Sequence, residues 1–330
     1  MALIVGHGLI GAAIPNRLNA AGFRTVCVGH RRRELPGYLA LDLASEAGRA
    51  SLAVVLAELR PRCAVLVHGP SDVTWIDQNE VAAAAVHCGV AEIVAGSGVP
   101  SVLISTDNVF SGHRGGYRPE DPVEPANGYG RVKGRAEDIL LAGGLTLVLR
   151  VSLVYGWAGP GLRATFAERC LAAAAQHSPM PAPTDQAFTP IHVADVAAVT
   201  AAVCRSAVPV TGVEHLAGPA ELSRYDFARI AYRLAGAAAG LVQPCLRRDT
   251  AYACRPRFSS LACGDFTGLP GLADWRPMTP EEGLREMLAS GPATPGTPGA
   301  ATSPEIPGDT GQPGACVPRL ETVRQGAEPR

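Results

Sequence analysis

Aromatic residues are scarce in this chain, making up 5% of its 330 residues. That leaves few rings for a surface on which successive nucleic-acid bases could stack. Neither sign of charge is in excess. There are 29 Lys and Arg against 30 Asp and Glu, a formal net charge of −1. The basic field that draws nucleic acid polymers or anionic membranes is therefore missing. No apolar run reaches the roughly 18 residues of a membrane-spanning helix. The opening Met1-Ala-Leu-Ile-Val-Gly6 is short and has no basic segment before it, unlike a secretory signal. Cysteines number nine, but none forms C-x-x-C and none stands at zinc spacing beside paired histidines. No metal site is expected. Reduced, mostly buried thiols in a cytoplasmic protein are the expectation.

What the chain does have is alternation. Ala2–Val5, Thr25–Val28, Leu39–Leu43, Ala64–Val67, Ser101–Ile104 and Leu145–Val151 are apolar runs that read as buried strands. Between them lie helical segments: one ending at Ala21 before Gly22, Ser45–Leu59 with Ser45 as cap, Gln78–Ala95, and Asn127–Leu141. Strands alternating with helices predict an α/β fold built on a doubly wound parallel sheet. After Tyr155-Gly156-Trp157 the pattern changes. Helices are expected over Gly159–Gln176, Val193–Arg205 and Tyr225–Ala238, and from Thr279 to near Ala289, with a Pro-rich break at Ser178–Pro183 and a return strand at Phe188–His192. From about 290 to 330 the chain is Gly, Pro, Thr and Ala with almost no large apolar residue, so a disordered C-terminal tail is expected.

The first strand runs into Gly6-His7-Gly8-Leu9-Ile10-Gly11 and then a helix. In that setting G-x-G-x-x-G lets a pyrophosphate sit against bare backbone at a helix N-terminus. A ligand-free glycine turn is the plain alternative. The second strand ends in Gly29-His30-Arg31-Arg32-Arg33, with no acid before Glu34. A carboxylate there would take ribose hydroxyls, whereas an arginine pairs with a 2′-phosphate. NADP(H) is therefore favoured over NAD(H). Asp42-Leu43 suits an adenine, the acid taking the exocyclic amine and the leucine covering the ring. The small residues of His68-Gly69-Pro70 leave room for a cofactor at the third long strand's end, with His68 read as a capping imidazole.

Ser105 and Thr106 arrive at the C-terminal end of their strand, where open parallel sheets bind ligands. Tyr129 and Lys133 are four apart on a helix and share a face. A phenol beside an ammonium suits carbonyl reduction or alcohol oxidation. Most Y-x-x-x-K pairs are surface neighbours, and only the surrounding pattern singles this one out.

Together these segments resemble the extended short-chain dehydrogenase/reductase superfamily, and within it dTDP-4-dehydrorhamnose reductase and related sugar-nucleotide reductases. Ser105-Thr-Asp-Asn-Val-Phe-Ser-Gly112 parallels S-T-D-Y-V-F-x-G. Pro125-Ala-Asn127-Gly-Tyr129-Gly-Arg-Val-Lys133 parallels P-x-N-x-Y-G-x-x-K, and Arg150–Tyr155 parallels R-x-S-x-V-Y. Asp185-Gln186 matches an Asp-Gln pair, and Arg255-Pro-Arg257-Phe-Ser259-Ser-Leu261 matches R-P-x-x-S-x-L approximately. The likeness runs over about residues 1–289.

The resemblance implies a Rossmann-like NADP-binding domain at 1–155 with a return segment near 185–206, and a smaller mixed cap at 156–289, mainly substrate-binding. It implies Tyr129 as general acid, Lys133 lowering its pKa and holding the nicotinamide ribose, and Thr106 bonding the same carbonyl oxygen. The implied cofactor contacts are Gly6, His7, Gly8, Leu9, Ile10, Gly11, His30, Arg31, Asp42, Leu43, His68 and Gly69, with Tyr129 and Lys133. Thr106, Asp107, Asn108, Leu153 and Arg257 are the implied substrate contacts. The implied reaction is NADPH-dependent reduction of a nucleotide-activated keto-deoxysugar of the 4-keto-6-deoxyhexose type, in cell-surface sugar or secondary-metabolite biosynthesis. The implied partner is that nucleotide-sugar substrate; a homodimer is compatible with the sequence, which leaves the oligomeric state open.

The chain departs from the pattern in places. Its glycine loop is one residue shorter than G-x-x-G-x-x-G. His87 stands for a mid-helix asparagine, Asn108 for a tyrosine and Leu153 for a tryptophan. Two alternatives stay open: an epimerase or dehydratase of the same superfamily, and a non-catalytic cofactor-binding regulatory subunit like the methionine adenosyltransferase accessory subunit.

Overall fold

The computed structural model describes residues 1–292. The longer strands of the first half are β1 (Ala2–Val5), β2 (Thr25–Gly29), β3 (Tyr38–Ala40), β4 (Cys63–Leu66), β5 (Ser101–Thr106) and β6 (Thr146–Val151). Shorter ones follow: β7 (Val154–Tyr155), β8 (Met180–Pro183), β9 (Ala187–Phe188), β10 (Ile191–His192), β11 (Gly212–Leu216), β12 (Leu222–Ser223) and β13 (Val242–Cys245). The α-helices are α1 (Leu9–Ala20), α2 (Glu46–Leu59), α3 (Val73–Gln78), α4 (Glu80–Gly96), α5 (Gly128–Ala142), α6 (Phe166–Ala175), α7 (Val193–Arg205), α8 (Arg224–Leu234) and α9 (Pro280–Ser290).

Seven strands form one parallel sheet in the order β3-β2-β1-β4-β5-β6-β11. Successive side chains of a strand point to opposite faces, and β1 obeys this. Ala2 and Ile4 enter a core with Ile14 and Leu18 of α1 and Val196 and Val199 of α7, while Leu3 and Val5 enter one with Leu52, Leu56, Val90 and Leu140 of α2, α4 and α5. Both faces are thus covered, which is why the strands read as unbroken apolar runs. The chain reverses its direction of travel across the sheet between β1 and β4, and the crevice at such a reversal is where these sheets bind ligands. A third core, with Tyr155, Phe166, Phe227, Tyr232, Leu284 and Met287, joins α6, α8 and α9. The described residues belong to one compact unit.

Several local expectations change. The helix expected from Gly159 begins at Phe166, because Gly159-Pro160-Gly161 disfavours helix and Thr165 with Glu168 closes a capping box. The Pro-rich break holds a strand, β8, parallel to β13. Both are edges, so the prolines displace no ladder bond that a central strand would need. The expected return strand is interrupted at Pro190 into β9 and β10. Asp72 caps an unforeseen α3, its carboxylate accepting the Thr74 and Trp75 amides. The sheet's outer strand β11 was not legible either: Gly-Val-Glu-His-Leu lacks an apolar run, and His215 is buried by bonding the Tyr117 carbonyl at 3.0 Å. Ser290 closes α9, and the expected tail from 293 lies outside the described residues. Among those residues no helix is long and apolar enough to cross a membrane.

Candidate active site

A cleft of about 810 Å³ opens at the sheet's reversal point and is shared by the strand ends and the segments of the third core. That volume suits a small-molecule site. At its floor the chain leaves β1 through Gly6, at φ +112°, where a Cβ would stand 2.5 Å from the Val67 carbonyl oxygen. Only glycine fits. Gly8 caps α1 with no side chain, and a Cβ on it would meet nothing within 4 Å. The first turn of α1 therefore presents uncovered backbone amides to open space, the arrangement that receives a phosphate. His7, Leu9, Ile10 and Gly11 line the same floor. The buried Nδ1 of His7 has no partner, and burial together with the Arg33 charge lowers its pKa.

His30 and Arg31, both exposed, line one rim with Arg33, and Asp42 and Leu43 line the cleft beyond. Arg31 donates to the Gly161 carbonyl at 3.2 Å. The cleft thus offers a bare helix terminus, a basic rim without an acid at the β2 end, and an acid–apolar pair. These residues fit a dinucleotide.

Asn127 starts α5. Its carboxamide oxygen accepts the Gly130 amide at 2.9 Å, and its Nδ2 donates to Asn108 Oδ1 at 2.9 Å and the Cys254 carbonyl at 3.0 Å. Gly130 lets the helix close on the turn after β5, because a Cβ would collide with the Asn108 carbonyl. Tyr129, Lys133 and Glu137 then follow at four-residue spacing on one face. Lys133 donates from Nζ to the Ile104 carbonyl at 2.9 Å. Burial lowers its pKa to about 8, against the raising effect of Glu137. Glu137 pairs with buried Arg150 at 2.7 Å and accepts the Ser105 hydroxyl.

The Tyr129 phenol is pushed up to about 12, by burial first and then by the Asp107 charge, with Arg255 and the Thr106 hydroxyl opposing. This is the reverse of the expectation drawn from the lysine. The Lys133 ammonium is tethered to the Ile104 carbonyl instead. Thr106 Oγ1 accepts the Asn108 amide at 3.2 Å and Nδ2 at 3.0 Å, and donates to Asp107 Oδ1 at 3.2 Å.

Asp107 was expected to touch substrate. It lines the cleft, but protein donors occupy both its oxygens: Asn108 at 2.8 Å and Thr106 on one, Ser152 at 3.1 Å and Ser259 at 2.7 Å on the other. Burial raises its pKa, and the Ser259 and Ser152 hydroxyls oppose the rise. It joins β5, the end of β6 and the 255–261 segment. Asn108 and Leu153 line the cleft. Arg257 does not. Its side chain is exposed and lies over Phe258, and Arg255, two residues earlier, faces the cleft instead. The R-P-x-x-S motif does not by itself fix which of its arginines turns inward; the loop's conformation does.

His68, expected as a capping imidazole and as a cofactor contact, meets the two expectations differently. It lines the cleft, is 6% exposed, and neither ring nitrogen has a partner, so it caps nothing. His87 bonds the Pro70 carbonyl at 3.0 Å through Nε2, its ring 5.3 Å from that of His68. Burial, with the Lys133 charge, lowers His87 to about 3, and burial, with the His87 and Lys133 charges, holds His68 well below the usual imidazole range. Gln186, Phe188 and Arg224, which the sequence does not single out as site residues, line the cleft too. Gln186 was quoted within a motif; nothing in the sequence separates Arg224 from other helix-starting arginines.

The RmlD substrate binding domain family matches residues 1–289. A dTDP-4-dehydrorhamnose reductase of Mycolicibacterium smegmatis (strain ATCC 700084 / mc(2)155) is 31% identical over 196 residues, 57% of this chain and 57% of that protein. The namesake from Sinorhizobium fredii (strain NBRC 101917 / NGR234) is also 31% identical, over 43% of this chain and 49% of that protein. The chain thus spans about half the length of these curated relatives. Methionine adenosyltransferase 2 subunit beta of Xenopus laevis is 26% identical over 69% of this chain and 70% of that protein. Among solved structures, the dTDP-4-dehydrorhamnose reductase of Bacillus anthracis str. Ames in complex with NADP superposes with a TM-score of 0.71 at 21% identity, covering 88% of this chain and 99% of that one. The Rossmann-like fold is thereby shared.

Proposed function

The chain belongs to the RmlD substrate binding domain family, and from that premise we propose that it is an NADPH-dependent reductase of a nucleotide-activated keto-deoxysugar, of the 4-keto-6-deoxyhexose type. The observation that carries this reading is the convergence of the glycine turn, the Arg31 and Arg33 rim, and Thr106, Tyr129 and Lys133 on one cleft. NADPH, when bound, supplies the hydride. Gly8 and the first amides of α1 hold its pyrophosphate, and Arg31 and Arg33 its 2′-phosphate; Asp42 and Leu43 flank the adenine. The NADP in the Bacillus anthracis structure supports this choice of cofactor.

Tyr129 keeps its proton at neutral pH, its pKa being about 12, and gives it to the carbonyl oxygen. Lys133 is charged below about pH 8, binds the nicotinamide ribose and stabilises the phenolate left behind. Thr106 turns its hydroxyl toward the same oxygen when substrate displaces its long contact to Asp107. Asn108 fixes that hydroxyl's position. Residues 156–289 mainly form the substrate-binding cap, with Leu153 and the β9–α8 region facing the sugar nucleotide. Free thiols among the described residues support a reducing, cytoplasmic setting.

The test is to mix the purified protein with NADPH and a panel of nucleotide-linked 4-keto-6-deoxysugars and follow loss of NADPH absorbance. Consumption with at least one member is expected. Consumption with none, or undiminished consumption by Tyr129→Phe, would refute the assignment.

A further inference from the structure

Arg224 opens α8, is 2% exposed, and lines the cap side of the cleft. Its guanidinium sits in an aromatic box, 3.8 Å from the Tyr252 ring centroid, 4.7 Å from that of Phe166 and 5.2 Å from that of Phe188. Nε donates to Gln186 Oε1 at 2.7 Å, while the buried Nη1 has no partner. No carboxylate among the described residues forms an ion pair with Arg224. The charges nearest to it are alike: Arg255, which also lines the cleft, and Arg169, which bonds the Tyr252 hydroxyl at 2.6 Å. Burial, with those like charges, lowers its pKa to about 9, which leaves it charged at neutral pH.

A buried guanidinium with a free donor and no counter-ion is unfavourable unless something anionic completes it. The rings hold the group flat, and Gln186 fixes its rotation. What remains is a rigid fork of the kind that takes phosphate oxygens in pairs. Arg255 extends the positive wall toward the reacting centre, since its charge reaches both Asp107 and Tyr129. The glycine turn and α1 terminus stand elsewhere in the cleft, on the sheet side.

We propose that Arg224, oriented by Gln186 and assisted by Arg255, binds the diphosphate that joins nucleotide to sugar, and so sets the keto-sugar between this wall and Tyr129. This rests on the sugar-nucleotide reductase reading and names the residue that recognises the substrate's anionic half. If Arg224 merely fastened the Tyr252 loop to the cap, its loss would lower stability without any preference among ligands.

The test is calorimetric titration of inorganic pyrophosphate, TDP and UDP into the full-length protein, with and without saturating NADP⁺, for wild type, Arg224→Met and Arg224→Lys. NADP⁺ occupies the other phosphate site. Wild type should bind pyrophosphate and at least one of the nucleotides. Arg224→Met should lose roughly 10- to 100-fold in affinity for both, with NADP⁺ affinity unchanged, and Arg224→Lys should recover part of the loss. Absence of pyrophosphate, TDP and UDP binding by wild type, or equal affinities in wild type and Arg224→Met, overturns the proposal. Should Arg224→Met fail to fold, an unweakened Arg224→Lys overturns it equally. Failure of the reductase reading looks different: Arg224-dependent binding without NADPH oxidation leaves the anion site standing. Keto-sugar reduction with an unchanged KM in Arg224→Met leaves the reductase and removes the site.

Discussion

Glu137 couples the stability of the sheet to the charge of Lys133, and replacing it tests both. Its side chain is 3% exposed and pairs at 2.7 Å with Arg150, itself 4% exposed. Glu137→Gln keeps the shape and an acceptor for Ser105 but leaves Arg150 buried without a counter-ion. Breaking a buried pair from one side costs about 3–5 kcal/mol, and the retained hydrogen bonds argue for about 3. For a unit of this size, 1 kcal/mol shifts Tm by roughly 2–4 °C, so a melt at neutral pH should fall by about 6–12 °C. Glu137→Met with Arg150→Met removes both charges and should recover most of that loss, because an apolar replacement of a whole buried pair is often neutral. The charge of Glu137 also raises the Lys133 pKa. The alkaline limb of the reductase pH profile should therefore move below about 8 in Glu137→Gln, as the ammonium is lost earlier. A Tm change under about 2 °C, well below the window set by that pair energy, together with an unmoved alkaline limb, would refute this account.

Tyr129→Phe should reduce turnover by roughly 10²- to 10⁴-fold, the usual contribution of a positioned proton donor, with NADPH affinity within about twofold; stopped-flow reduction and equilibrium titration separate the two. Arg31→Ala should weaken NADPH by roughly 10- to 100-fold through loss of a charge-assisted contact and leave NADH nearly unaffected; equal losses for both would remove the 2′-phosphate role. For Lys133, the folded pKa of about 8 lies below its ordinary 10.5. The unfolded chain binds the extra proton between these values, so stability relative to Lys133→Met should rise as pH increases from about 8 toward 10.5, by up to about 3 kcal/mol. Urea unfolding of both proteins at about pH 7.5 and about pH 9.5 reads this difference, and a flat difference contradicts the buried charge.

The parallel sheet was legible because strands covered on both faces must be apolar throughout, and the helices between them carry their own caps, Ser45 and Asn127 among them. The cofactor side was legible for a related reason. Gly6 and Gly8 serve backbone geometry, which leaves a fixed trace in sequence, and every residue expected to contact the cofactor lines the one cleft. The chain beyond β6 was not legible to the same degree. Its strands are two to five residues long and held by pairing between distant segments, so β8 hides among prolines and β11 in a mixed stretch. Arg255 and Arg257 differ only in which way a loop turns them. The pKa of Tyr129 was out of reach for a third reason: Lys133 is its neighbour in sequence spacing, but burial and Asp107 dominate in space.

Asn108 shows how the same stretch can keep its chemistry and change its pocket. The S-T-D-Y motif that this stretch resembles has a tyrosine there, and a ring at that position would present a phenol and a broad apolar face. The asparagine instead spends its carboxamide inside the protein, donating to Thr106 Oγ1 and Asp107 Oδ1 and accepting from Asn127. Asn127 in turn starts the helix that carries Tyr129, and Asp107 reaches Ser259 in the segment that carries Arg255. One short side chain thus links the hydroxyl, the phenol's helix and the segment that carries Arg255. A tyrosine has no amide with which to make these bonds, so this linkage belongs to the chain with asparagine. Thr106, Tyr129 and Lys133 need fixed relative positions for any carbonyl reduction, and the linkage supplies them. The space that a ring would fill stays part of the cleft, which Asn108, Leu153 and Arg224 line.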